Sequence, residues 1–178
     1  VPTFHPTLQA RIALGVAIAA DEPEEALGHL ARAHALVRPI REIAVWNRTP
    51  ARAQAAAAAL ADDPAMGGIV VAAVTDLAAA VSAADIVSTA TLATEPLIEG
   101  TWLRPGQHLD LVGSFRPHMR EADDDTLRRA SLYCDTRAGA TKESGDFAGP
   151  LTRTIIAPAD IRADLFDLNR PGAWVRQS

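Results

Sequence analysis

Four short stretches carry residues whose types and order could do chemistry. The first is Trp46-Asn47-Arg48-Thr49, which closes the apolar run Ile43-Ala44-Val45-Trp46. Where a dinucleotide-binding fold ordinarily places an acid for the ribose 2′-hydroxyl, Asn47 stands instead and Arg48 follows. Its guanidinium can pair with a 2′-phosphate and Thr49 can add a hydroxyl donor, a set that suits NADP better than NAD. Arg48 reads as well as a solvated cation, and Thr49 as a helix cap. The second stretch, Ser88-Thr89-Ala90-Thr91, offers small and hydroxyl-bearing residues that let a ring or ribose approach the backbone, as a plain turn also would. In the third, Val112-Gly113-Ser114-Phe115-Arg116-Pro117, Gly113 permits close approach and Ser114 can donate to a cofactor. Arg116 can hold a substrate carboxylate or form a structural salt bridge to Asp123 or Asp124. The fourth, Glu143-Ser144-Gly145-Asp146, sets two acids beside a glycine and has the look of a solvated loop. No catalytic residue is assigned and no metal site is expected.

Each stretch needs an element to place it. Val16 to Ala20 is a short apolar run read as a first strand, and Glu24 to Val37 sets Leu27, Leu30, Ala31, His34 and Ala35 on one helical stripe. Pro39 closes that helix before the second strand, Ile43 to Trp46. Thr49-Pro50 supplies an N-cap with proline behind it, opening an alanine-rich helix to Ala61. Gly67-Gly68 turns into a strand over Ile69 to Val74, and Asp76 caps a helix to about Ala83. Further strands are expected over Asp85 to Ala90, His108 to Val112 and Ser131 to Asp135, with a helix from Asp123 to Arg129 between the last two. This alternation implies parallel pairing through right-handed crossovers. The fold class is therefore α/β, a doubly wound, Rossmann-like parallel sheet in a single domain. Residues 1–10 read as an extended lead-in, 11–169 as the domain and 170–178 as a tail. In such a sheet ligands bind beyond the carboxyl ends of the strands, which is where the first three stretches fall.

Composition narrows the partners. The chain has 178 residues, 48% of them hydrophobic, enough for one sizeable core. Its 17 basic and 22 acidic residues give a net charge of -5, which offers no attraction to a phosphate backbone or an anionic membrane. Nucleic acid is not an expected partner, nor is a membrane. A single cysteine, Cys134, cannot form an internal disulfide and suits a reducing cytoplasm, where it reads as a small buried hydrophobe.

Taken together, Ile40 to Thr49 (IREIAVWNRT), Asp85 to Thr91 (DIVSTAT), Gly106 to Glu121 (GQHLDLVGSFRPHMRE), Glu143 to Asp146 (ESGD) and Ile156 to Leu168 (IAPADIRADLFDL) resemble the ornithine cyclodeaminase and mu-crystallin family in residue type, order and spacing. The resemblance covers about residues 26 to 169. It implies a nicotinamide-binding domain from enzymes that reduce cyclic imines, oxidise amino acids or deaminate ornithine to proline, acting on a small imine or amino acid, with a homodimer possible. Cyclodeaminases of the family carry an aspartate two residues after the glycine that follows the fifth strand. Phe115 stands there, so the resemblance favours the ketimine or pyrroline-carboxylate reductase branch, whose NADP preference agrees with Asn47, Arg48 and Thr49. An ornithine cyclodeaminase is the alternative lyase reading.

Two features depart from the family. Its glycine-rich turn is matched by Ala20 to Ala26, with Asp21 and Pro23 in the glycine positions and Glu22, Glu24 and Glu25 adding negative charge, which opposes a pyrophosphate. The family's second domain, with most of the substrate site, is not matched, so the sequence is expected to be a fragment, a product of an altered reading frame before about residue 24, or a relic domain. The expectation is weak dinucleotide binding and no turnover by the chain alone. A non-catalytic module that works by association is the competing reading.

Overall fold

The computed structural model describes residues 10–15 and 23–170, and their contacts gather into two compact units. The larger comprises residues 10–15, 23–92 and 102–113. It holds β1 (Ala10–Gly15), α1 (Pro23–Val37), β2 (Ile40–Trp46), α2 (Pro50–Ala61), β3 (Val70–Ala73), α3 (Leu77–Ala83), β4 (Ile86–Thr89) and β5 (His108–Leu111). The strands form one five-stranded sheet in the order β3-β2-β1-β4-β5, every neighbouring pair parallel. The order reverses between β1 and β4, the switch point of a doubly wound sheet.

Local chemistry explains the elements. The alanines of α2 bury Ala53, Ala56, Ala57 and Leu60 at helical spacing, and their small side chains let the helix lie close on Ile43 and Val45 of β2. Leu27 and Ala31 of α1 join the same core. All four residues of β4 are buried, as fits a strand covered on both faces. Gly68 adopts φ 83°, a conformation that lets the chain turn into β3 without a Cβ penalty. Asp76 caps α3 by accepting from the Ala79 amide at 2.9 Å.

The smaller unit comprises residues 93–101 and 114–170. It holds α4 (Asp124–Arg129), β6 (Leu132–Cys134), α5 (Arg137–Ala140), α6 (Gly145–Thr152), β7 (Ile161–Asp164) and α7 (Leu165–Leu168). Leu127, Leu132 and Ile156 form its core, with Phe147, Leu151 and Ile155 packed against them.

Two strand expectations are corrected, and a third expectation falls largely outside the described residues. The first strand is Ala10–Gly15, while the run assigned to it, Val16 to Ala20, lies outside the described residues. Apolar content is nearly continuous from Ile12 to Ala20, so periodicity alone could not say which part pairs. Pro23 opens α1, where a missing N–H is tolerated, and residues 20–22 of the stretch matched to the glycine-rich turn lie outside the described residues. The sixth strand, within Ser131 to Asp135, does not extend the main sheet. It pairs in parallel with β7, Leu132 opposite Ile161 and Cys134 opposite Asp164.

Candidate functional site

The registers bring the strand ends of the larger unit into one row. Trp46 is paired with Gly15, Gly15 with Thr89, and Thr89 with Leu111. The residues that follow β2, β4 and β5 therefore leave the same edge of the sheet, spread over about 14 Å by ordinary interstrand spacing. Asn47-Arg48-Thr49, Ala90-Thr91 and Val112-Gly113 are brought together in that sense, with Thr89 in the row itself.

At the end of β2, Asn47 is buried and its side-chain oxygen accepts from the Thr49 amide at 2.7 Å, a local turn that leaves Arg48 at its apex. Arg48 is exposed, and among the described residues no carboxylate pairs with it. Thr49 occupies the N-cap position of α2 as expected, but its hydroxyl makes no capping bond. The Arg52 amide that such a cap would satisfy already donates to the Thr49 carbonyl at 3.0 Å. Among the described residues, a guanidinium without a carboxylate partner and a hydroxyl without a cap bond thus stand at the start of a twelve-residue helix, whose first amides favour an anion.

At the end of β4, Thr89 and Thr91 are buried and Ala90 is half-buried. The Thr89 carbonyl accepts from the Val112 amide at 2.8 Å, which continues the β4–β5 ladder one residue past the strand. Gly113 is buried and Val112 is 49% exposed, an apolar side chain left at this edge. One step inside the row, Asp110 accepts from the Ser88 hydroxyl at 3.1 Å and lies 3.7 Å from the imidazole of His34. His34 holds the Asp110 carboxyl below its ordinary range, against the opposing effect of burial.

Ser114 belongs to the smaller unit, and its hydroxyl is engaged there. It donates to the Met119 carbonyl at 3.2 Å, accepts from the Asp146 amide at 2.9 Å and lies 3.3 Å from the Ser144 hydroxyl. Asp146 is not in a solvated loop. Its side chain is 2% exposed, and Oδ1 accepts from the amides of Glu121 at 3.0 Å and Ala122 at 3.1 Å and from Arg120 Nε at 3.3 Å. Burial pushes its carboxyl above the usual range, with those amides pulling the other way. Nor does Arg116 bridge to Asp123 or Asp124. Asp124 is taken by Arg120 at 3.0 Å and by Arg153 at 2.7 Å, and Asp123 caps α4 through the Thr126 amide at 2.7 Å. Sequence reading passed over Gly15, which stands inside a continuous apolar stretch with no marker of its own, and Arg120, whose i,i+4 spacing to Asp124 was visible.

Among the described residues no helix is long and apolar enough to cross a membrane. Comparison with known proteins gives a consistent family. The sequence profile of the ornithine cyclodeaminase/mu-crystallin family matches residues 27–170. The Delta(1)-pyrroline-2-carboxylate reductase of Paracoccus denitrificans is 45% identical over 150 residues, 84% of this chain and 46% of its own. Ketimine reductase mu-crystallin of Mus musculus is 39% identical over 125 residues, 70% of this chain and 36% of its own. The structure of Thermococcus litoralis Delta(1)-pyrroline-2-carboxylate reductase in complex with NADH and L-proline superposes with a TM-score of 0.74 at 29% identity, covering 90% of this chain and 47% of that one. The chain spans less than half the length of each of these relatives.

Proposed function

The chain belongs to the ornithine cyclodeaminase/mu-crystallin family, and from that premise we propose that it is the dinucleotide-binding part of an imine reductase that prefers NADP to NAD. The observation that carries the proposal is the single row of strand ends, with the buried Thr89 in it, Gly113 after β5, and after β2 an exposed Arg48 that has no carboxylate partner among the described residues.

The residues fit the group. Arg48 would take the 2′-phosphate as a planar, charge-assisted partner, and Thr49 would add a hydroxyl with no competing cap bond. Thr89, Ala90 and Thr91 would line the ribose, and Val112 and Gly113 the nicotinamide side, where only a small residue lets the ring reach the backbone. The cofactor, when bound, supplies the hydride; the chain holds it in place. Substrates of the class reduced by the relatives, small cyclic imines with a carboxylate, would meet it at this edge. Ser114 is retained in the proposed set as the residue that anchors the segment after Gly113 through its bonds to Met119 and Asp146. A homodimer is part of the same proposal, and a cytoplasmic location agrees with the lone cysteine.

Titration of the purified chain with NADPH and NADH, followed by nucleotide fluorescence, tests this reading. NADPH should bind more tightly, and Arg48→Ala should remove most of the difference, about ten- to a hundred-fold for a lost charge-assisted pair. Equal curves for the two nucleotides in the unmutated chain would overturn the NADP preference.

A further inference from the structure

One step inside the row of strand ends, a single carboxylate joins three elements of the larger unit. Asp110 of β5 accepts from the Ser88 hydroxyl of β4 at 3.1 Å, and the same oxygen lies 3.7 Å from Nε2 of His34 on α1. The backbone of Asp110 is used as well. The Thr89 hydroxyl donates to its carbonyl at 3.5 Å, and the Val112 amide donates to the Thr89 carbonyl at 2.8 Å just beyond. Ser88 and Thr89 are buried. The ends of β4 and β5 are thus fixed around Asp110, and His34 ties α1 to them.

The cation in this cluster differs in kind from those elsewhere in the fold. Asp63, Asp85, Asp124 and Asp146 are paired with arginines, which keep their charge at any pH a protein meets. Asp110 is paired with a histidine, a side chain whose charge changes between about pH 5 and 8. With His34 protonated, the pair carries no net charge. With His34 neutral, a half-buried carboxylate is left uncompensated one residue inside the edge, where it repels an anionic ligand, and the electrostatic tie to α1 is lost. His108, two residues earlier on β5 and on the same face, adds a second titrating charge beside Asp110. On α1 itself, Arg38 turns onto the Val37 carbonyl at 2.7 Å and Arg32 pairs with Asp63 at 2.6 Å. The elements packed on α1 bring Arg41 and Glu42 of β2 and Arg52 of α2, all exposed.

Resting on the reading of this edge as a dinucleotide site, we propose that His34 is a positioning residue: through Asp110 it holds the ends of β4 and β5 in place for the nucleotide, and its loss of a proton lowers nucleotide affinity as pH rises across neutrality. The effect is carried by the charge of Asp110 and by its bonds to Ser88 and Thr89. No contact between His34 and the ligand is required.

Calorimetric titration with NADP+ from about pH 5.5 to 8.5 tests this, with the wild type compared at each pH against His34→Lys, which stays charged over that range. The comparison cancels the titration of the 2′-phosphate itself. The wild type should match His34→Lys at the acid end and bind about two- to fivefold more weakly at the alkaline end, the range for a partly solvated ion pair. His34→Gln should stay at the weaker level throughout, and Asp110→Asn should bind with no such fall as pH rises. Amide resonances of the nucleotide-free chain give a second readout that a merely structural contact would not move. Those of Ser88, Thr89 and Val112 should titrate with the same midpoint as the His34 ring protons, and should cease to do so in His34→Gln. The same spectra establish that each variant is folded. A ratio of wild-type to His34→Lys affinity that does not change with pH would overturn the proposal and leave the dinucleotide site standing. So would amides at these positions that titrate unchanged in His34→Gln, which would assign the effect to His108. Absence of NADP+ binding at every pH, in the wild type and the variants alike, would remove the dinucleotide site and this inference with it.

Discussion

Two arginines show how differently one side chain is used in the two units. Arg120, with its side chain 14% exposed, is bound to Asp146, to Asp124 and to the Ala122 carbonyl. Arg48 stands at the apex of the β2–α2 turn with no carboxylate among the described residues. Every bond of Arg120 ends inside its own unit, so its charge is already consumed in holding backbone segments together. Arg48 has its bonding capacity left over. The lesson is that the candidate ligand contacts are found by asking which charged groups the fold leaves unsatisfied, since the density of charge is higher around Arg120.

Substitutions should separate the two regions by stability. Asp146→Ala strips two buried amides and Arg120 of their acceptor, which should cost about 3–5 kcal/mol and lower the melting temperature by roughly 10 °C in a thermal unfolding scan. A shift of only a degree or two would mean that the Arg120 network is not the structural hub described. Gly145→Ala forces a methyl group onto the carbonyls of Met119, Arg116 and Pro117. Overpacking of that kind should cost about 1–3 kcal/mol by the same measurement, and no loss at all would contradict the close docking of Gly145.

Acid should act through Asp110. Its folded-state carboxyl is held low by His34, so the stability it contributes is present above the unfolded value near 3.9 and is lost as pH falls through the folded value. Chemical denaturation of the wild type and Asp110→Asn should differ by about 1 kcal/mol at neutral pH, a figure kept small because the pair is partly solvated. That difference should shrink below about pH 4; one that grows on acidification would refute the assignment. Smallest of all is the stability effect of Arg48→Ala, expected within about 0.5 kcal/mol because the side chain is exposed and has no carboxylate partner among the described residues. A larger loss would show that Arg48, like Arg120, has a structural role.

The same contrast explains what could be read from the sequence. Four strands of the main sheet, β2 to β5, were legible because each is a short apolar run bounded by a cap or a turn: Thr49-Pro50 opens α2, and Asp76 caps α3. From these, the positions of Asn47, Arg48, Thr89 and Gly113 at strand ends follow directly. The limits of β1 were not legible, since apolar residues continue past Gly15 without a marker. The pairing of β6 with β7 was hidden because partners some 30 residues apart are chosen by tertiary packing, which short-range patterns do not encode. Asp146 looked like a loop acid because its acceptors' partners, the amides of Glu121 and Ala122, lie 25 and 24 residues away. Arg116 was offered Asp124 by proximity in sequence, but Arg120 and Arg153 reach it in the fold.

The central claim is that the carboxyl edge of the five-stranded sheet is a dinucleotide site, and amide chemical-shift mapping with NADPH tests it most directly. The largest shifts should fall on Arg48, Thr49, Thr89 to Thr91, Val112 and Gly113, with residues 120 to 124 and 146 little changed. Shifts centred on those latter residues, or no shifts at the sheet edge at saturating NADPH, would contradict it.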